Sequence, residues 1–454
     1  AGERSIVYRH DKAGRLIEQI DPKGGREQYA YDVYNNKTQD IDRLGARTVF
    51  RYDVWGRQIE AVDALGGTNG VTHDGEGRPL TVRNKIGACV TNAYDSDGRL
   101  VSMADSAGNR VSNVYDSVGN RILETITIGQ CPDCSSRDTR PPLNISYAYD
   151  AANRLIRKVE GAGRADARGY RFDYDALGRT VAETDPMSNR LVRQYSPDSL
   201  QTNVTLHDSA GEIVSRKSYE YDGRRLPVAE TAFTGDGPSC RKTIEYNAQG
   251  LKIAETDALG NRTQYLLDQH GNATGIVNAA ASLTSLSYDL MDNKVWERDP
   301  RGVVTTYEWD SANHLTRKVT ALGMSQARTN RYVYDVLGRL THEYDAMNGR
   351  VDYTYDPLGN VTSQKDKRGG ITRFNYDLLG RMIEATDPLT NSIHKAYDGA
   401  GKTWIEVGKQ GGTNWIEYDV YGLPVRVTDA AGHVTAFEYD KLGRKIREVN
   451  SSGV

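Results

Sequence analysis

Apolar and polar residues alternate along this chain in short runs, and the runs are broken at regular intervals. Leu100, Ser102 and Ala104 interleave with Val101 and Met103. Side chains two apart in a strand share a face, so each run reads as a β-strand with two different faces. No window sustains a 3.6-residue period, and helices are not expected. Tyr stands just ahead of 16 of 20 such breaks, often with a second ring two residues earlier: Tyr29 before Tyr31, Phe50 before Tyr52, Tyr332 before Tyr334. Rings so placed lie on one face and predict aromatic ladders across stacked repeats, each cross-strand pair worth ~0.2–1 kcal/mol.

The breaks are turns. Tyr94-Asp95-Ser96-Asp97-Gly98-Arg99-Leu100 recurs in 20 versions whose turn positions are residues 14, 35, 56, 77, 98, 119, 153, 178, 199, 225, 250, 271, 292, 313, 338, 359, 380, 401, 422 and 443. These define repeats 1 to 20. Of the 19 intervals 14 are 21 residues long, a regularity that fixes the fold class before propensities are consulted. Asp stands three before the turn position in 18 copies, with Ser196 and Asn247 as the exceptions. All three residue types accept hydrogen bonds from backbone amides two or three residues on. The turn position is Gly in 14 copies and otherwise Asn35, Asn153, Asn313, Asp292, Ser199 or Arg225. That distribution predicts a left-handed conformation there. Arg225 is the misfit, and Gly223 beside it suggests a shifted turn.

A second turn follows about ten residues later, as at Asp105 to Gly108, Asp257-Ala258-Leu259-Gly260 and Asp299-Pro300-Arg301-Gly302. Two turns per repeat leave two strands of roughly five to seven residues. The expected fold is all-β: tandem 21-residue β-hairpins forming one long antiparallel sheet of about 40 strands. At ~4.8 Å per strand such a sheet runs roughly 190 Å, and because sheets twist it should coil into a spiral or a hollow shell. Residues 1–454 are expected to form a single array and a segment of a longer protein. A loop insertion falls near 125–145 and irregular repeats near 195–245.

Composition sharpens this picture. The apolar fraction is 38%, with 28 Tyr but only 5 Phe, so a thin wall with wet surfaces fits better than a packed globule. The 58 basic and 61 acidic residues are interspersed, with no basic stripe for nucleic acid. No apolar stretch of ~18 residues could span a membrane as a helix. Cys131 and Cys134 form a C-P-D-C pair whose metal, redox, disulfide or plain loop role stays open. Cys89 and Cys240 stand alone.

A repeat of the form G-x-x-x-x-[YF]-x-Y-D-x-x-G-R-L resembles the Rhs or YD-repeat family over essentially the whole chain. The copies that carry the resemblance best are Tyr94, Asp95, Gly98 and Arg99; Tyr174, Asp175, Gly178 and Arg179; Tyr334, Asp335, Gly338 and Arg339; and Tyr376, Asp377, Gly380 and Arg381. The resemblance implies a β-spiral shell. In bacterial polymorphic and insecticidal toxins such a shell encloses and delivers a C-terminal toxic domain; in teneurins it belongs to a cell-surface adhesion protein. The chain departs from the toxin pattern in lacking the core with a self-cleaving aspartate, so no residue is assigned that role.

No catalytic signature stands in a suitable context. The eight His fall in different repeats; His10 and His73 occupy the Tyr slot and His314 the Arg slot. Trp55, Trp296, Trp309, Trp404 and Trp415 could be platforms for glycans or members of the strand ladder. The reading is a non-enzymatic, secreted or cell-surface shell, with no catalytic, cofactor or metal residues. Its expected partners are an enclosed polypeptide cargo or other copies of the chain, and glycans. The alternative is an extracellular fibre or adhesive shell.

Overall fold

The computed structural model describes residues 5–128, 141–233, 239–397 and 402–451. Within them forty strands, from Val7–His10 to Lys445–Asn450, form one antiparallel sheet, and no helix is present. Each strand pairs with the next in sequence, as Arg47–Tyr52 does with Gln58–Val62 and that strand with Thr68–His73. The chain is therefore all-β, a train of hairpins in one sheet. The ladder runs unbroken through both irregular regions. Arg121–Thr127 pairs directly with Leu143–Tyr149 across the insertion, and Ile213–Tyr221, nine residues long, pairs on both sides. Cys131 and Cys134 lie outside the described residues.

In most repeats both turns share one geometry; the longer second connections at residues 161–167 and 321–327 differ. At the first turn the Asp53 N–H donates to the Arg57 carbonyl (2.9 Å) and the Gly56 N–H to the Asp53 carbonyl (3.0 Å). At the second, the Asp63 N–H donates to the Gly67 carbonyl (2.9 Å) and the Gly66 N–H to the Asp63 carbonyl (3.0 Å). The first turn carries a register shift, between Arg51 and Tyr52 in this repeat; second turns run without one except at Leu206 and His207. The turn position is left-handed with or without Gly: φ is 77° at Gly56, 72° at Asn35 and 69° at Ser199.

Two expectations are corrected. The turn of repeat 10 is not shifted: Arg225 itself takes φ 70°, closing the bond to the Asp222 carbonyl that Gly makes elsewhere. The Tyr221-Asp222 spacing outweighs the local strain, and Gly223 is spent on nothing special. The rings two apart do not meet a ring on the adjoining strand either. Tyr29 faces Asp40, Phe50 faces Ala61 and Phe172 faces Glu183, because the repeated ring pair falls on every second strand. Cations fill the gap instead, with Lys37 Nζ 5.3 Å from the Tyr29 ring centroid and 5.2 Å from that of Phe50.

The sheet winds back on itself. Lys23 Nζ meets Asp289 Oδ2 at 2.9 Å, the Ser311 hydroxyl donates to the Arg43 carbonyl at 3.0 Å, and the Tyr421 hydroxyl donates to the Asp166 carbonyl at 3.0 Å. A cleft beside Pro186 and Ser188 is closed by Lys441. The partners belong to repeats 1 and 13, 2 and 14, 7 and 19, and 8 and 20. In all four, the second-turn edge of one repeat meets the first-turn edge of the repeat twelve further on. One coil is thus twelve repeats, or 24 strands.

Side-chain cover agrees. The tip residue before the turn position is exposed in every repeat from 1 to 12, from Ala13 to His270. Met291, Ala312, Leu337, Leu358, Tyr421 and Leu442 at the equivalent tips of later repeats are partly covered, and Leu379 at 38% is the least so. Most second-turn tips reverse the order: Leu44, Ile86 and Met187 are covered while Leu65 at 54% is not, and Leu259, Met347 and Leu389 project into solvent.

Little of the chain is deeply buried. The buried apolar side chains among the described residues are mostly Ala, with Ile145, Val319 and Val351. The accessible surface is 26480 Å². A compact monomer of 50.4 kDa would expose about 17,000 Å², so this is a wall and not a globule.

Candidate functional site: the repeat joint and the coil seam

The residues of the tyrosine-aspartate turn form a joint between successive repeats. Asp95 Oδ1 accepts from the N–H of Asp97 (3.0 Å) and of Arg99 (2.9 Å), and Oδ2 accepts from Arg99 Nε (2.8 Å). The guanidinium then reaches forward: Arg99 Nη1 donates to the Asp116 carbonyl at the next turn, and its carbon sits 5.3 Å from the centre of the Tyr115 ring. That Tyr reaches back, its hydroxyl donating to the Leu100 carbonyl at 2.9 Å. Arg of one repeat and Tyr of the next therefore hold each other across the boundary.

The same circuit is built around Tyr174, Asp175, Gly178 and Arg179, where Arg179 stacks on Tyr195 at 4.7 Å. It recurs around Tyr334, Asp335, Gly338 and Arg339, where Arg339 Nη1 donates to the Asp356 carbonyl at 3.0 Å. Tyr376 donates to the Val361 carbonyl at 2.8 Å, and Arg381, bonded to Asp377 after Gly380, lies 5.0 Å from the Tyr397 ring. Substitutes keep the connection. Trp309 Nε1 donates to the Lys294 carbonyl (2.9 Å), and His314 bonds Asp310 and stacks on Tyr334 at 4.8 Å. Asn293, in an Arg slot, bonds Asp289 and reaches the Asn313 side chain at 2.8 Å. The forward reach of Arg was missed from sequence; its signal is that Arg, Asn or His, all side-chain donors, fill most positions after the turn.

Both faces are polar. One carries Lys37–Asp40, Lys294–Glu297 and Lys445–Glu448 beside the rings; the other carries Arg190–Asp173, Arg262–Glu245 and Arg241–Glu220. Every shifted group among the described residues moves away from neutrality. Burial, then the bond to Glu124, pushes the Tyr147 hydroxyl up to about 12. Bonds from Lys242 and the Tyr265 hydroxyl hold Glu255 down to about 2. The Arg99 backbone N–H leads the forces that lower Asp95. Such groups are fixed in their ordinary charge states, unlike a general acid or base poised near pH 7. No group of three or more His, Cys, Asp or Glu among the described residues could hold a metal ion.

Of the Trp residues, Trp309 joins the ladder while Trp296 and Trp415 are half-buried in strands; the Trp404 side chain lies outside the described residues. Trp55 departs from the ladder. It stands at a turn tip under Arg57 (4.6 Å) and lines an open cleft of about 800 Å³ with Tyr34 and Phe50.

The comparisons agree with the winding sheet. The crystal structure of TcdB2-TccC3-Cdc42 superposes with a TM-score of 0.68 at 14% identity, covering 98% of this chain and 32% of that one. A Tc holotoxin pore of Photorhabdus luminescens superposes with a TM-score of 0.60 at 13% identity, covering 98% and 30%. The chain therefore spans about a third of the length of these structures. No curated protein matches it by sequence. The model of the RHS repeat matches residues 10–46 and 149–186. The model of the teneurin YD-shell matches residues 198–453, more than half of the chain, and the chain belongs to that family.

Proposed function

We propose that this chain is the non-catalytic wall of a secreted or cell-surface shell that encloses a polypeptide cargo and helps deliver it. The observation that carries the reading is the seam, where edges twelve repeats apart meet at Lys23–Asp289, Arg43–Ser311 and Asp166–Tyr421. A ribbon joined edge to edge is a continuous barrier. Both faces carry interspersed ion pairs, one of them beside the Tyr rings, a surface that keeps an unfolded guest solvated. The Tc structures that share the fold support a toxin-type shell in particular.

A protease-protection assay tests this. An unstructured reporter appended after Val454 should survive protease treatment that degrades the free reporter, and lose protection when the seam is opened. Cleavage at the free rate with the sheet intact by circular dichroism would defeat the proposal. The exposed Tyr34 and Trp55 favour a second reading, an adhesive extracellular shell; binding of cells or glycans that vanishes in Trp55→Ser would support it.

A further inference from the structure

Two arginines stand directly opposite each other without a counter-ion. Arg157, in Leu155–Glu160, pairs in register with Arg171, in Arg168–Tyr174. Directly opposed residues have Cα atoms only about 4.5–5.5 Å apart, and like charges there repel. Lys441 arrives from the turn of repeat 20, across the seam, and the three line one cleft of about 460 Å³ with Val159, Thr184 and Ser188. Among the described residues, neither guanidinium nor the Lys441 ammonium has a hydrogen-bond, ion-pair or ring partner. The one acid on the wall, Asp185, is committed to its own turn. Its carboxylate accepts from the N–H groups of Met187 (2.8 Å) and Asn189 (2.9 Å) and from Asn189 Nδ2 (2.7 Å).

The chain holds a second version of this arrangement, and there the charges are neutralised. Arg317 opposes Arg331 across the other long second connection. Arg317 Nη1 meets Glu308 Oε1 at 2.6 Å, and Arg331 Nη2 donates to the Asn348 side chain at 3.0 Å, its guanidinium 4.8 Å from the Tyr344 ring centroid. In the first version each of these partners is replaced by a smaller, uncharged residue. Ala148 stands opposite Arg157 where Glu308 stands opposite Arg317, and Thr184 opposite Arg171 where Tyr344 stands opposite Arg331. Ser188 takes the left-handed turn position that Asn348 takes. Gly169 stands opposite Val159 where Thr329 stands opposite Val319, and a Cβ at Gly169 would meet nothing within 4 Å. The first version keeps its cations without their partners, and the space those larger side chains would fill is the cleft. We propose that this cleft binds a doubly charged tetrahedral oxyanion, phosphate or sulfate, free or as the head of a monoester. Two planar guanidinium forks and an ammonium suit the several oxygens of such a group better than the two of a carboxylate. The cleft is many times larger than the ~30 Å³ of one water, so an ester carrier fits as well. Lys441 and the arginines belong to different coils, so the bound anion spans the seam.

Calorimetric titration of the 454-residue chain with inorganic phosphate, at an ionic strength held constant with chloride, tests the proposal. Saturable binding and a melting temperature that rises with phosphate are expected. Arg171→Gln and Lys441→Gln should each weaken binding about tenfold or more. Ala148→Glu installs the acid that the second version carries and should abolish binding, with the strand signal in circular dichroism intact. Arg317→Gln, in the neutralised version, should leave the affinity unchanged. A parallel titration with methyl phosphate separates the two sources of the group: equal affinity assigns the site to a monoester, and weaker binding assigns it to the free ion. The proposal is overturned if phosphate gives neither saturable heat nor a melting shift. It is equally overturned if acetate binds as tightly as phosphate, or if the Ala148→Glu chain binds phosphate as the parent chain does.

Discussion

At single positions the joint works through directional bonds that few side chains can reproduce. Arg339 makes a fork to Asp335, a bond to the Asp356 carbonyl and a stack on Tyr355, all at once. Lys cannot reproduce the planar fork. Arg339→Lys is expected to speed amide exchange at residues 335–339 and at the following turn, corresponding to a loss of about 1–2 kcal/mol of local stability. Unchanged exchange at the Asp356 turn would mean that the forward bond carries no energy. Two backbone tests bracket the left-handed position. Gly338→Val places a β-branched residue at φ 76° with its Cβ 2.8 Å from the His314 ring, and should lower the melting temperature more than an exposed strand substitution does. Arg225→Gly should raise stability by about 1 kcal/mol, since it removes side-chain strain at φ 70° for the loss of surface contacts only.

The same turns set the pH response. Asp95 is lowered from 3.8, first by the Arg99 backbone N–H, against opposing burial, and then by its guanidinium; Asp11 and Asp150 share that leading cause. A carboxyl whose folded pKa lies below its unfolded value stabilises the fold above the unfolded value. That contribution fades as pH falls through the folded one. The melting temperature should therefore hold steady down to about pH 5 and drop below about pH 4. A fall between pH 7 and 5 would point to groups other than these aspartates.

Hairpins were legible in the sequence because a turn is a local object. Asp at the turn start and Gly, Asn or Asp at the turn position state their hydrogen bonds and φ without reference to anything distant. The Tyr spacing likewise states the strand that precedes each turn. What lay between hairpins was harder. Phe50 and Tyr29 suggested touching rings, yet an intervening strand separates them and Lys37 occupies the space. Arg225 suggested a displaced turn because propensity was weighed above spacing, and the ladder on either side of it enforces the spacing. The link from Arg99 to Asp116 needed the separation of adjacent hairpins, a quantity that no window within one repeat contains. A double-mutant cycle between Arg99 and Tyr115 should give a coupling near 1 kcal/mol, and additivity would refute the stacked pair.

For the molecule as a whole, stability is divided between two kinds of contact. Backbone ladders run around the coil, and side-chain contacts at the seam run between coils. Among the described residues the seam rests on few bonds, so it should open first. Lys23→Glu combined with Tyr421→Ser should raise the radius of gyration in solution scattering while the circular dichroism spectrum keeps its strand signal. Equal loss of both would show that the coils and the ladder melt together. The winding number was not legible at all, since it arises from the small twist added at each strand and accumulated over 24 of them.

That winding carries a consequence for how such chains can vary in length. The seam partners are separated by 266, 268 and 255 residues, yet in each case by twelve repeats. Four intervals of 25 or 26 residues and one of 34 leave that count untouched, because extra residues swell a hairpin or its loop without adding a strand pair. The seam counts repeats, not residues. Insertions inside a repeat are mechanically silent, whereas gaining or losing one whole repeat would slide every later turn past its neighbour on the coil below. Lys23 would then face the turn next to Asp289, and Asp166 the turn next to Tyr421.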